Sequence, residues 1–64
     1  MQAKVTLQDK TTGAVTVIPI NVHDDEEAKR VLSALVFGQG NAEGKVYDVS
    51  GGGNREIGED HCPF

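Results

Sequence analysis

Apolar and polar residues alternate at the start of the chain, which is the pattern of a strand with one buried face. Ala3, Val5 and Leu7 share one side of this strand, and polar residues occupy the positions between them. The next five residues, DKTTG, end at Gly13 and predict a short turn with a positive φ at the glycine. The segment AVTVIPINV (14–22) predicts a second strand, so the chain should open with a β-hairpin.

The second predicted strand has apolar residues on both sides of its alternation. One set is Val15 and Val17, and the other is Ile18, Ile20 and Val22. We expect a bulge near Val17 or Ile18 to bring the two sets into one phase. Pro19 has no backbone N–H, which places this strand at the edge of a sheet, where a partner strand can pair with it.

The acidic run from Asp24 to Glu27 predicts the start of a helix. Asp24 suits the N-cap and Glu27 suits the third helical position, which is a capping box with Asp in place of Ser or Thr. The pairs Asp25–Lys29 and Glu26–Arg30 have the acid four residues before the base, the favourable orientation for ion pairs.

A stripe of apolar residues at helical spacing follows the acidic run. Its members are Ala28, Val31, Leu32 and Leu35, widened near the end by Val36 and Phe37. Gly38 is expected to follow the helix as its C′ residue. The composition of GQGNAEG (38–44) predicts a loop, KVYDV (45–49) a third strand, and residues 51–54 a flexible glycine-rich turn.

The pattern as a whole predicts an α+β fold for residues 1–64. This single small domain has the order β-β-α-β, with an antiparallel sheet and one helix packed on one face. REIG (55–58) is a candidate for a short fourth strand, and residues 59–64 form a tail that is either frayed or held by Pro63 and Phe64. The expected core consists of Val5, Leu7, Ile18, Ile20, Val31, Leu32, Leu35, Phe37, Val46 and Val49.

Charge and cysteine content narrow the classes of function. Ten acidic and six basic residues give a net charge of −4, which disfavours direct binding to nucleic acids or anionic membranes and favours a basic protein partner. Cys62 is the one cysteine, so no intrachain disulfide can form, and we expect a cytoplasmic location. The longest apolar stretch, VLSALVF, is far shorter than the roughly 20 residues that span a bilayer.

No catalytic or cofactor motif is found, so we expect neither enzymatic activity nor a cofactor. His23, Asp24 and Asp25 could contribute to a metal site with His61 and Cys62, but the spacing matches neither a zinc nor a calcium motif, and no metal is expected. Ser33 and Cys62 are the candidate nucleophiles, and neither has a neighbouring histidine in a well-supported position.

Acidic residues are the remaining candidates for a functional surface. Those expected to bind a partner are Asp24, Asp25, Glu26, Glu27, Glu43, Asp48, Glu56, Glu59 and Asp60. Solubility alone is one explanation of their number. The other is a negative surface that competes for the Arg and Lys side chains with which a nucleic-acid-handling protein holds phosphates.

In its small size and acidity the chain resembles phage and mobile-element inhibitors, including anti-CRISPR proteins. The resemblance is one of general character, and no shared motif carries it. It implies a non-enzymatic inhibitor that binds a basic protein surface, such as that of a nucleic-acid-binding complex. Two alternatives stay open: a structural or assembly subunit that forms a homodimer or pairs through the edge at Pro19, and a minor metal or redox protein that uses His61 and Cys62.

Overall fold

The computed structural model describes residues 1–40 and 42–61, which form one antiparallel sheet with a helix on one face. The elements in chain order are β1 (Gln2–Asp9), β2 (Val15–Asn21), α1 (Asp25–Gln39), β3 (Ala42–Asp48) and β4 (Arg55–His61). The strand order in the sheet is β2-β1-β3-β4, so β2 and β4 are the edge strands. The predicted α+β class is confirmed, and the candidate fourth strand is present in a longer form than REIG.

The turn between β1 and β2 is stabilised by a side chain at its start and a glycine at its end. The Asp9 carboxylate accepts hydrogen bonds from the backbone N–H groups of Thr11, at 2.7 Å, and Thr12, at 3.1 Å. Gly13 has a φ of 78°, the left-handed conformation that a glycine adopts without steric cost. The predicted hairpin and its positive-φ residue are therefore confirmed.

The prediction of a bulge in β2 is wrong. The β1–β2 register runs without a shift from the Gln2–Asn21 pair to the Gln8–Val15 pair. Regular alternation therefore turns the two apolar sets of β2 to opposite faces of the sheet. The register shift lies instead between β3 and β4, where Ile57 is the additional residue and packs against the core.

The helix begins as the capping box predicts and ends later than expected. Asp24 accepts from the backbone N–H of Glu27 at 2.8 Å, and the Glu27 carboxylate accepts from the N–H of His23 at 2.9 Å. Gly38, expected at the C′ position, lies inside α1, and Gly40 caps the helix with a φ of 91°. The expected loop at 38–44 is correspondingly short, because β3 already begins at Ala42.

The core between the helix and the sheet is entirely apolar among the described residues. Its buried members are Ala3, Val5, Leu7, Val22, Ala28, Leu32, Val36, Ala42 and Val46. Four residues expected in the core, Ile18, Ile20, Val31 and Leu35, are only partly buried at its margin. Phe37 was expected in the core and is 51% exposed, because it lies on the outer side of the helix relative to buried Val36. Val49 is also only partly buried.

Small residues of β3 and β4 lie beneath the helix. A Cβ atom built on Gly44 would be 2.8 Å from Leu7 Cδ2 and 3.0 Å from Leu32 Cδ1, so the packing there requires a glycine. Gly58 on β4 lies under the aliphatic part of Lys29. The contacts of α1 fall mainly on β3 and β4, with few on β1 and none on β2.

Part of the expected C-terminal tail is a strand. Glu59, Asp60 and His61 were assigned to the tail 59–64, and they form the end of β4, paired with β3. Their backbone groups are hydrogen-bonded in the sheet, which explains why these residues are ordered. The expectation that Pro63 and Phe64 hold the tail against the core concerns positions outside the described residues.

Substituting Gly44 tests the close contact beneath the helix. Gly44→Ala should destabilise the fold by about 1–3 kcal/mol, because the added methyl group overlaps Leu7 and Leu32 and forces them or the helix to move. The measurement is the free energy of unfolding in urea.

Gly58→Ala is the matched control for that measurement. The nearest atom to its added Cβ is Lys29 Cγ at 3.5 Å, an ordinary contact with a flexible side chain. This variant should be as stable as the parent chain or slightly more stable. Equal stability of the two variants would contradict the inferred tight packing at Gly44.

Candidate functional site

The sheet face opposite α1 is covered by no other element of residues 1–40 and 42–61. Its residues alternate along each strand with those that face the helix. We call this surface the open face, and its members are Gln2, Lys4, Thr6, Gln8, Val15, Val17, Pro19, Asn21, Glu43, Lys45, Tyr47, Glu56, Glu59 and His61. A protein surface without a covering layer is available to a partner.

The open face has an uncharged half and a charged half. On β2, Val15 and Val17 are 61% and 57% exposed, which is unusual for valines in a strand. On β3 and β4, the side chains include three glutamates and Lys45, whose Nζ lies 3.7 Å from a carboxylate oxygen of Glu56. Between the halves, Lys4 Nζ lies 5.8 Å from the ring centroid of Tyr47, the geometry of a cation–π contact.

A shallow groove of ≈ 610 Å³ lies at the end of the sheet where β2 begins and β4 ends. All four strands contribute to it, through residues that include Gln8, Val15, Glu43, Lys45 and Glu59. The groove is wide and in contact with solvent, so it suits an extended or protruding part of a partner better than an enclosed small molecule.

Some of the acidic residues predicted to bind a partner serve the fold. Asp24 and Glu27 form the capping box described above. Asp25 accepts hydrogen bonds from the Arg55 guanidinium at 3.1 and 3.3 Å, and the same guanidinium donates to Asp48 at 3.1 Å. Asp25 thus pairs with a residue of β4 instead of Lys29, and the two carboxylates raise the pKa of Arg55.

Asp48 and Asp60 are stabilised as carboxylates by nearby donors. The hydroxyl of Ser50 donates to Asp48 at 2.5 Å and its backbone N–H at 2.9 Å, and with Arg55 these donors lower the pKa of Asp48 to about 2. The hydroxyl of Ser33 on α1 donates to Asp60 at 2.6 Å and lowers its pKa. Asp60 therefore connects the middle of the helix to the end of β4.

Three of the nine predicted acids have side chains with no hydrogen bond or ion pair to another described residue: Glu26, Glu43 and Glu59. Glu43 and Glu59 lie together on the open face, since Glu43 is opposite His61 and Glu59 is opposite Lys45. Glu26 lies apart from them, at the exposed start of the helix. The nine acids thus lie in three places: four at the helix start, three (Glu43, Glu56 and Glu59) on the open face, and two (Asp48 and Asp60) on the helix side of the sheet.

Val15 and Val17 were not predicted to be part of an exposed surface. The sequence does indicate this exposure. A strand with apolar residues at both odd and even positions has apolar side chains on both of its faces when it pairs without a bulge. The predicted bulge would have turned all these apolar residues to one face, so the exposure of Val15 and Val17 was not expected.

The residues considered for chemistry are dispersed. No group of three or more His, Cys, Asp or Glu side chains in the described part of the chain could hold a metal ion. Cys62, the partner proposed for His61, lies outside the described residues. In the same described part, no helix is both long enough and apolar enough to cross a membrane.

The low pKa of Asp48 gives a prediction about pH. A carboxyl group with a folded-state pKa of about 2 and an ordinary value of 3.8 stabilises the fold above about pH 4, and this contribution is lost as the pH falls toward 2. Ser50→Ala should raise the pKa of Asp48 toward 3.8, because the Ser50 hydroxyl is the largest cause of the shift.

Carbon-detected NMR titration of the carboxyl groups measures this change. The pKa of Asp60 is the internal control, because its donors are Ser33 and the backbone of His61 and the substitution leaves both in place. An Asp48 pKa that did not respond to Ser50→Ala would show that the Ser50 hydroxyl does not donate to this carboxylate in solution.

Comparison with known proteins finds no match for the chain. No protein-family model matches it, and neither a curated protein nor a solved structure is significantly similar. The function therefore has to be inferred from the residues and the geometry of the protein itself.

Proposed function

We propose that the protein is a non-enzymatic inhibitor that binds a basic surface of a nucleic-acid-handling protein through the charged half of its open face. The observation that carries this proposal is the position of Glu43 and Glu59, two carboxylates without an ion-pair partner among the described residues, on a sheet face that no other described element covers. A cytoplasmic location is part of the proposal, because a single cysteine suits a reducing compartment.

The arrangement of these carboxylates supports recognition of a basic partner. Glu43 and Glu59 are diagonal neighbours on adjacent antiparallel strands, which places their Cα atoms about 7–8 Å apart. They project from paired strands, so little conformational freedom of the backbone is lost on binding. Two neighbouring carboxylates of this kind can each accept hydrogen bonds from an Arg or Lys side chain.

The net charge supports the same proposal. At −4, the protein attracts a basic surface over a distance and is repelled by nucleic acids. A groove that binds nucleic acid carries Lys and Arg side chains that neutralise phosphates. A negative protein surface in that groove excludes the phosphates directly, which is how an inhibitor of the phage or mobile-element type would act.

Ser33, one of the two candidate nucleophiles, and Asp48 have structural roles in this proposal. The hydroxyl of Ser33 donates to Asp60 and joins the helix to β4. Asp48 is held as a carboxylate by Ser50 and Arg55, so it is a poor proton donor at neutral pH. Both arrangements support the fold and supply no activated nucleophile.

Charge reversal at two matched positions tests the proposal. Glu59→Lys should weaken binding to the partner about tenfold or more, because a positive charge then faces a basic surface. Glu26→Lys changes the net charge equally at a position away from the open face, and should reduce affinity by less than about threefold. Both glutamates are exposed and have no ion pair among the described residues, so both variants should fold.

The probe is the set of proteins that heparin retains from an extract of the source cells. The tagged chain and both variants are used to capture proteins from this fraction, and each captured protein is then tested for release of bound duplex DNA when the chain is added. Release that Glu59→Lys abolishes and high salt weakens would support the proposal. Equal effects of the two variants, or binding of DNA by the chain itself, would contradict it.

A further inference from the structure

The edge strand β2 has apolar side chains on both faces and lies at the margin of the core, away from the axis of the helix. Val15 and Val17 are exposed on the open face, and Ile18 and Ile20 are only partly buried on the other face. No Cα atom of α1 comes within 8 Å of one in β2. A second groove, of ≈ 600 Å³, runs along this strand and includes Val17, Pro19 and Ile20.

The two edges of the sheet differ in charge. The segment that contains β2, residues 14–22, has no charged residue, whereas β4 contains Arg55, Glu56, Glu59 and Asp60. Charged side chains on an edge strand are a common protection against pairing with another chain. The β4 edge has this protection, whereas the β2 edge has no charged residue and is protected only by Pro19, which removes a single outward N–H.

The hydrogen-bond pattern shows which backbone groups of β2 point outward. Val22 donates to Met1 at one end of the hairpin, and Asp9 donates to Ala14 at the other. Because hydrogen-bonded and non-hydrogen-bonded pairs alternate in an antiparallel ladder, residues 15, 17, 19 and 21 direct their backbone groups away from β1. Pro19 occupies one of these outward positions, where its missing N–H costs no bond within the sheet.

We propose that a second copy of this chain pairs with the β2 edge, strand against antiparallel strand, with the two-fold axis at Ile18. This register aligns the whole of β2 with its symmetry mate. Val15 is then opposite Asn21 of the second copy, and Val17 is opposite Pro19 of the second copy. Because proline has no N–H, the carbonyl of Val17 in each copy lacks a donor across the interface. Ile18 meets Ile18 of the second copy on the helix side of the sheet.

Electrostatics identify a second copy as the occupant. Two molecules that each carry a charge of −4 repel one another, and this repulsion is weakest where they meet at surfaces without acids. In the paired arrangement, the charged strand β3 of each copy is separated from the other by β1 and β2 of both copies. Five strand spacings correspond to about 24 Å, well beyond the screening length of about 8 Å at physiological ionic strength.

The pairing would extend the sheet and add to a small core. Ile18 and Ile20, which are partly buried at the margin of the core, come together with the same residues of the second copy. A domain of 64 residues buries only about 60% of its unfolded surface and gains stability from association. The two-fold axis is perpendicular to the sheet, so both open faces are on the same side of the dimer.

Two reciprocal substitutions test the pairing, with the dimer dissociation constant measured by sedimentation equilibrium. Val17→Pro removes an outward N–H that β1 does not use, and it should raise the constant about tenfold or more. Pro19→Val restores an outward donor opposite the unpaired carbonyl, and it should lower the constant about tenfold. A chain that remains monomeric at millimolar concentration, or a dimer that both variants affect in the same direction, would overturn the proposal.

Cross-linking tests the register independently of these variants. In a chain with Cys62→Ser, Ile18→Cys places two thiols on the two-fold axis in a non-hydrogen-bonded pair, whose Cα atoms are about 4.5 Å apart, within disulfide range. Thr16→Cys is the control, since it lies on the same face of β2 and is opposite Ile20 of the second copy. Mild oxidation should link the Ile18→Cys chains and leave the Thr16→Cys chains unlinked, and equal linking of both would overturn the register.

Discussion

The tight contact of the helix with the β3–β4 half of the sheet determines the rest of the structure. There is no room for a Cβ atom on Gly44 between Leu7 and Leu32, and the aliphatic part of the Lys29 side chain packs over Gly58. Small residues let the helix approach this half closely, whereas β2 carries isoleucines on the helix side. The single helix is therefore displaced from the centre of the sheet, and it leaves one edge without cover.

Polar contacts around the core reinforce this displacement. Arg55 joins the start of the helix to both β3 and β4 through Asp25 and Asp48, and the Ser33 hydroxyl joins its middle to Asp60. Exposed ion pairs of this kind contribute little stability individually. Their effect here is on position, because both contacts attach the helix to the charged side of the molecule and neither attaches it to β2.

Local patterns predicted the hairpin, the capping box and the edge position of Pro19, because each depends on neighbouring residues. The helix end was misplaced because Gly38 and Gly40 are both glycines, and only the backbone shows which has a positive φ. Gly44 was assigned to a loop by composition, although its role is to admit Leu7 and Leu32. In the local sequence, a glycine that tertiary packing requires cannot be distinguished from a glycine in a turn.

The candidate site was harder to predict, because the roles of the acids depend on contacts between distant residues. Asp25 has a basic residue four positions away and instead pairs with Arg55, thirty positions away. The helix cap, Arg55, Ser33 and Lys45 pair with six of the predicted acids. Among the described residues, the open-face carboxylates left without such a partner are those of Glu43 and Glu59. The fold thus separates an acidic surface from an uncharged edge. Acids without partners remain on β3, a central strand, and on β4, while the uncharged edge at β2 can meet another chain without bringing those acids together.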